Sequence, residues 1–231
     1  ISNLNVSTSN YTNVGMFGEY TQATAPFVTN LTINGITLQY TGSTTGRVYM
    51  GGIAGSVKGD NTTKITNCTV KNVNFITPGC NAEQLDFGGI VGNVSSSSNS
   101  VTISGCTVNK INVNNDANKK PYVGGIVGYP LGSVTLTSCT YTSGTVTIRG
   151  LERFGGFIAW TANNVTFNNC SASLNITING GSSGSRIGGI IGSYNAGTRT
   201  ATYNGCTVSG TINVTNTNIT QKGVKYGFSG S

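Results

Sequence analysis

Apolar residues alternate with Thr, Ser or Asn along most of this chain, in short runs broken at regular intervals by glycine doublets. Residues 101–128 show the unit: Val101-Thr102-Ile103-Ser104-Gly105-Cys106-Thr107-Val108, then Ile111-Asn112-Val113, then Tyr122-Val123-Gly124-Gly125-Ile126-Val127-Gly128. A period of two marks strands with one face turned inward. The doublet recurs as Met50-Gly51-Gly52-Ile53-Ala54-Gly55, Phe87-Gly88-Gly89-Ile90-Val91-Gly92, Phe154-Gly155-Gly156-Phe157-Ile158-Ala159 and Ile187-Gly188-Gly189-Ile190-Ile191-Gly192. Val14-Gly15-Met16-Phe17-Gly18 and Tyr226-Gly227-Phe228-Ser229-Gly230 read as degenerate first and last copies, and the steps between aligned glycines are 37, 37, 36, 31, 33 and 38 residues. A repeat of that length with no helical pattern inside it predicts a β-solenoid. The expected fold is all-β: a single-stranded parallel β-helix of about seven coils, three short strands per coil, with residues 1–231 as one repeat domain.

Two ladders should run along such a stack. The first is glycine, at Gly52, Gly89, Gly125, Gly156 and Gly189. Glycine inside a strand marks a bend or a close backbone approach, and the Ile or Phe that follows should point into the core. A phosphate-cradling loop would need a helix N-terminus after the doublet, and none is visible. The second ladder is cysteine, at Cys68, Cys106, Cys139, Cys170 and Cys206, with Leu4 and Leu31 read into the same slot in the first two coils. Interchange with Leu makes the slot apolar, so reduced, buried thiols are expected. The chain has no histidine and no Cys-x-x-Cys, so a metal site is not expected, nor is a cofactor. Cys80 falls outside the register and reads as a loop thiol.

Composition narrows the function. Hydrophobic residues make up 36% of the chain and recur at strand positions, so each coil has something to bury. The net charge of +7 is uneven: residues 1–115 hold five Lys/Arg and four Asp/Glu, whereas residues 116–231 hold eight and two. Nucleic-acid binders cluster their basic residues with stacking aromatics, whereas these are scattered at one or two per coil, which argues against a nucleic-acid partner. An anionic-polymer face along the C-terminal coils is left as the alternative to a mildly basic surface. No apolar run approaches the roughly 20 residues of a membrane helix, so no membrane insertion is expected.

Parallel β-helices include polysaccharide-cleaving enzymes, which depend on clustered acids. Here the acids are Glu19, Asp60, Glu83, Asp86, Asp116 and Glu152, and only Glu83 and Asp86 are close in sequence. Arg153 and Arg186 occupy the place of Asp86 in later coils, and without histidine a general base near neutral pH loses its usual agent. The chain therefore reads as a non-enzyme. Regular threonine arrays raise ice binding as another solenoid function: Thr102, Thr135, Thr166 and Thr202 share one register, with Thr66 shifted by two, and Thr69, Thr107, Thr140 and Thr207 share another, broken by Ser171. Threonine also suits any exposed strand face. Tyr49 and Tyr122, at the same place two coils apart, are the aligned candidates for glycan contact. Asn-x-Ser/Thr sequons head at Asn5, Asn10, Asn30, Asn61, Asn67, Asn93, Asn164, Asn169, Asn175, Asn213 and Asn218, with Asn67 and Asn169 expected on a strand where adjacent coils limit access.

The stretch Val123-Gly124-Gly125-Ile126-Val127-Gly128-Tyr129-Pro130-Leu131-Gly132-Ser133-Val134-Thr135, running on to Cys139 and Gly144-Thr145-Val146, resembles the GLUG motif. That Gly-Gly-aliphatic-aliphatic-Gly repeat belongs to bacterial cell-surface proteins and to the non-catalytic part of streptococcal immunoglobulin A peptidases, and similar repeats occur in protist surface proteins. The chain departs from it at Ala159, at Ser229 and in the cysteine slot. The resemblance implies a β-solenoid exposed at a cell surface and brings no catalytic residues. The expectation is therefore an extracellular or cell-surface structural or adhesin module, a stalk or fibre segment of a longer protein. Its expected partners are host or environmental glycans or matrix proteins, or further copies of itself stacked end to end, with a glycan-binding module as the alternative.

Overall fold

A computed structural model describes residues 1–22, 27–59, 63–95, 100–115, 121–179, 185–195 and 197–215, with only the backbone described for Gln22 and for residues 145–149. Asp60, Asp116, the sequons at Asn61 and Asn218, the loops at 116–118 and 180–184 and the last glycine copy at 226–230 lie outside them.

The described chain is a parallel β-solenoid with three walls. In the coil read above, Thr107–Asn115 lies in the first wall, Tyr122–Gly124 and Val127–Pro130 form the second, and Ser133–Thr137 the third. Each wall is a sheet whose neighbours come from successive coils: seven strands in the first, ten in the second and six in the third. All pairings are parallel, as stacked coils of one hand require. Six coils are described through all three walls, and a seventh contributes Thr207–Val214 to the first wall.

Alternation is obeyed on the third wall, and on the first wall it is interrupted by one extra unburied residue in Thr32–Tyr40, Thr69–Thr77 and Thr107–Asn115. Ser100–Ser104 and Ser133–Thr137 bury every second residue, and Ile65, Ile103, Leu136, Phe167 and Tyr203 stack as one column in the core. The residues after the glycine doublets, Ile53, Ile90, Ile126, Phe157 and Ile190, are all buried, as expected. The threonine registers also hold: Thr102 pairs with Thr135, Thr135 with Thr166 and Thr166 with Thr202, while Thr66 lies two places off opposite Ser104. The second array runs Thr69, Thr107, Thr140, Ser171, Thr207, and Thr32 extends it by one coil.

Two corners of the coil have distinct causes. Between the third and first walls the chain turns on a residue of left-handed conformation: Asn30, Asn67, Gly105, Ser138, Asn169 and Gly205, with φ between 51° and 62°. All six are exposed, and each is followed by the cysteine slot. Asn and Gly are the residues that tolerate this conformation. Asn67 and Asn169 are therefore exposed corner residues and not strand residues of limited access. Within the second wall the chain bends at the glycine doublet, with no positive φ there. The requirement is space. A methyl group on Gly89 would stand 2.3 Å from the Gly125 carbonyl oxygen of the next coil, and on Gly125 2.1 Å from that of Gly156. From across the core, the residue two places beyond the cysteine presses on the same glycine: Val108 on Gly89 and Tyr141 on Gly125.

The register corrects two readings of the first coil. Leu4 pairs with Ile36, which pairs with Val73, so Leu4 lies beyond the cysteine slot, and only Leu31 occupies it. Asn3, before Leu4, belongs to a second left-handed series in the first wall with Gly35, Asn72, Lys110, Gly144 and Gly210. Gly15 pairs with Gly51 and Phe17 with Ala54, so the first doublet is one residue short.

Candidate functional site

The cysteine ladder forms as read, at the corner where the third wall passes into the first. Cys68, Cys106, Cys139 and Cys170 are buried and Cys206 is half-buried, all as free thiols. Each thiol is held by backbone carbonyls. Cys106 Sγ donates to Ser104 O at 3.3 Å and lies 3.6 Å from Ile65 O of the preceding coil. Cys139 repeats this with Thr137 O and Ile103 O. Sulfur also accepts: the Cys68 amide, turned along the stack by Asn67, donates to Cys106 Sγ at 3.3 Å. The thiol contact from Cys106 draws the Cys68 pKa down to about 7 and pushes that of Cys106 up. Cys170, lowered to about 7 by Cys139, repeats the pattern. Burial raises Cys206. These groups are walled into the corner and make a structural ladder. Cys80 does follow a strand in a turn, but its thiol is buried and accepts from the Ala82 amide at 3.4 Å.

The chemistry-bearing side chains converge elsewhere, along the outer side of the glycine bend. Tyr49 and Tyr122 both pair with Asp86, so all three occupy one column, which continues through Arg153 and Arg186. A second column runs Ser56, Asn93, Tyr129 on the far side of the bend, with Trp160 and Ser193 above it. Residues seven apart face each other across the bend: Tyr49 and Ser56, Asp86 and Asn93, Tyr122 and Tyr129, Arg153 and Trp160, Arg186 and Ser193. The two half-walls fold outward-concave, so these side chains meet. The Tyr122 and Tyr129 ring centroids are 5.9 Å apart, Arg186 Nη1 donates to Ser193 Oγ at 2.9 Å, and in the first coil Asn13 Nδ2 donates to Glu19 Oε2 at 3.0 Å. The result is a seam in which nominally outward residues are covered. Tyr129 is 7% exposed, Asn93 and Ser56 1%, and Asp86 0%.

The seam changes character along its length. In its earlier coils it is closed and polar. Gln84 Nε2 donates to Asp86 Oδ1, while Asp86 Oδ2, Asn93 Oδ1 and Ser56 Oγ have no hydrogen-bond partner among the described residues. Burial of the carboxyl raises the Asp86 pKa to about 7, against the pull of the Gln84 amide and of the Arg47 charge. Burial, then Asp86, raises the Tyr49 phenol. Arg47 extends along the seam to lie 4.4 Å from the Tyr129 ring centroid.

In the later coils the seam is aromatic and cationic. Tyr129 and Trp160 stack with centroids 4.6 Å apart and planes 6° from parallel. Arg153 lies 5.4 Å over Tyr122 and pairs with Glu152 at 3.4 Å. Arg186 has no carboxylate partner among the described residues.

The sequence reading thus found one side of this seam, Tyr49, Tyr122, Asp86, Arg153 and Arg186, and missed the other. The signal for it was a second aligned column four residues beyond the second glycine of each doublet. Glu83, beside Asp86 in sequence, is exposed while Asp86 is buried, so the two acids do not meet. Among the described residues no three His, Cys, Asp or Glu side chains converge on one point. The sequon at Asn93 lies inside the seam, whereas those at Asn30, Asn67 and Asn169 are exposed. Among the described residues no helix is long and apolar enough to cross a membrane. No family model matches the chain, and no curated protein or solved structure matches it either.

Proposed function

We propose that this chain is a non-catalytic module of a secreted or cell-surface protein, a rigid stalk or fibre segment that holds adhesive surfaces toward glycans or matrix proteins. The observation that carries the reading is the parallel coil-on-coil pairing that all three walls keep along the stack. Described coils are hydrogen-bonded to their neighbours in all three walls, so the body is stiff, and its interior is filled by apolar side chains. The resemblance of the glycine repeat to GLUG surface proteins supports the same reading. So does the placement of the acids: Asp86 is sealed, Glu83 is exposed, and Glu152 is engaged by Arg153. A general acid or base must reach its substrate atom, and a sealed carboxyl does not.

The test is the intact chain on arrays of glycans and matrix proteins, with release of reducing ends followed in parallel. Saturable retention without release of reducing ends is expected; turnover of any retained polysaccharide would overturn the non-catalytic reading. Self-association is the other partnership we propose, because parallel coil-on-coil stacking has no built-in closure and extends into a fibre. Negative-stain electron microscopy over a concentration series tests it: filaments of uniform width are expected, and single short particles at every concentration would remove it.

A further inference from the structure

We propose that the later coils of the seam form a binding site for an acidic oligosaccharide, with one sugar ring stacked on the Trp160 indole and its carboxylate held by Arg186. The proposal rests on reading the chain as an adhesive module and gives that module a residue-level site.

Three observations carry it. First, Trp160 is stacked on one side only. Tyr129 covers one face of the indole, whereas the next residue up the column is Ser193, whose side chain ends at a hydroxyl. Trp160 accordingly stays partly exposed although Tyr129 beneath it is buried. A flat indole face beside a small residue suits the apolar face of a pyranose, which stacks on aromatic rings while its hydroxyls remain free to hydrogen-bond.

Second, the cation beside that face is uncommitted. Arg186 is anchored to Ser193 Oγ, at the level directly above the indole, with neither a carboxylate partner nor an aromatic ring beneath it among the described residues. A guanidinium fixed through one nitrogen still offers further N–H donors in a planar fork, which matches a carboxylate. Arg153, one coil below, adds a second positive charge that Glu152 offsets in part.

Third, the site is directional. The same two columns are closed at Asp86 and Asn93, where carboxyl and amide are sealed from solvent. An anionic ligand is therefore favoured at the partly exposed coils of Arg153 and Arg186. Only one indole face is offered, which fits a single stacked sugar better than a run of nucleobases, each needing its own platform.

Trp160 is the only tryptophan in the chain, so its fluorescence reports the site directly. The intact chain is titrated at low salt with trigalacturonic acid, with maltotriose as neutral control and oligothymidylate as the nucleic-acid control. A saturable emission change with trigalacturonic acid is expected, with maltotriose at least about ten-fold weaker. Arg186→Gln should weaken binding about ten-fold while leaving the thermal melting curve unchanged, and added salt should weaken it further. Trp160→Phe, followed by calorimetry, should bind more weakly than wild type yet better than Trp160→Ala.

No emission change up to about 10 mM trisaccharide, or equal binding by Arg186→Gln, overturns the site. Tighter binding of oligothymidylate overturns the assignment of the ligand as carbohydrate. If trigalacturonic acid fails while the intact chain is still retained on glycan or matrix arrays, the site falls and the adhesive reading stands. If both fail, both fall.

Discussion

The glycine bend and the cysteine corner each redirect the chain once per coil, and they do so by opposite means. The cysteine corner needs a backbone conformation: a left-handed residue stands before the slot in six successive coils, and Asn, Ser and Gly all serve because each points to solvent. The glycine bend needs an absence. Its φ values are ordinary, but the next coil's carbonyl and a cross-core side chain occupy the space a Cβ would take. The first turn leaves an exposed ridge, the second a covered seam. A solenoid can therefore vary its ridge freely, while its seam places paired columns of side chains against one another. The candidate binding residues are on the seam for that reason.

The largest expected effect comes from filling the bend. Gly125→Val puts a branched side chain against Tyr141 and the Gly156 carbonyl, and should cost about 4 kcal/mol or more, read by urea unfolding. A loss under about 1 kcal/mol would show that the bend has slack.

Next is the carboxyl sealed behind the bend. The Asp86 pKa is raised from 3.8 to about 7, so the folded chain binds a proton that the unfolded chain releases between those values. Stability is then fully present below about pH 4, is lost progressively as pH rises toward 7, and levels off above it. The single-site loss is about 4 kcal/mol. Asp86→Asn should flatten the pH profile over that range and raise stability at pH 8; an unchanged slope in that variant would mean that another group carries it.

The cysteine corner should be softer. Cys106→Ala leaves a small cavity and removes the acceptor for the Cys68 amide, an expected cost of about 2 kcal/mol by thermal unfolding. With a disulfide reagent and peptide mass spectrometry, Cys206 should be modified first and the five buried thiols, Cys80 included, only on unfolding. The smallest effect sharpens the contrast with Gly125: Gly105→Asn installs the residue already used at Asn30, Asn67 and Asn169. It should change stability by no more than about 0.5 kcal/mol.

Much of this architecture was legible in the sequence because a solenoid repeats its constraints. Period-two alternation gave the walls, and aligned repeats gave the cysteine ladder, both threonine registers and the shared place of Tyr49, Asp86, Tyr122, Arg153 and Arg186. What escaped was whatever depends on the sense of a bend or on one deleted residue. Alternation assigns Ser56, Asn93 and Tyr129 to solvent; the concave bend covers them. Gly15 was misaligned because its coil is one residue short at the doublet. Leu4 was misplaced because Asn3 imitates the corner asparagines while belonging to the left-handed series within the first wall. Cys80 reads as a loop thiol, and its burial escaped because local sequence carries no sign of the packing above a turn.

The most direct test of the bend as a dry, continuous ladder is residue-resolved native-state hydrogen exchange. Paired amides of each coil converge there on one carbonyl of the next: Ile90 and Val91 on Ile126, and Ile126 and Val127 on Phe157, at 2.9 to 3.1 Å. These amides should exchange only with global unfolding, slower than those of Gly79 and Gly197 in exposed turns. Exchange of Ile90, Val91, Ile126 and Val127 at turn-like rates would contradict the account.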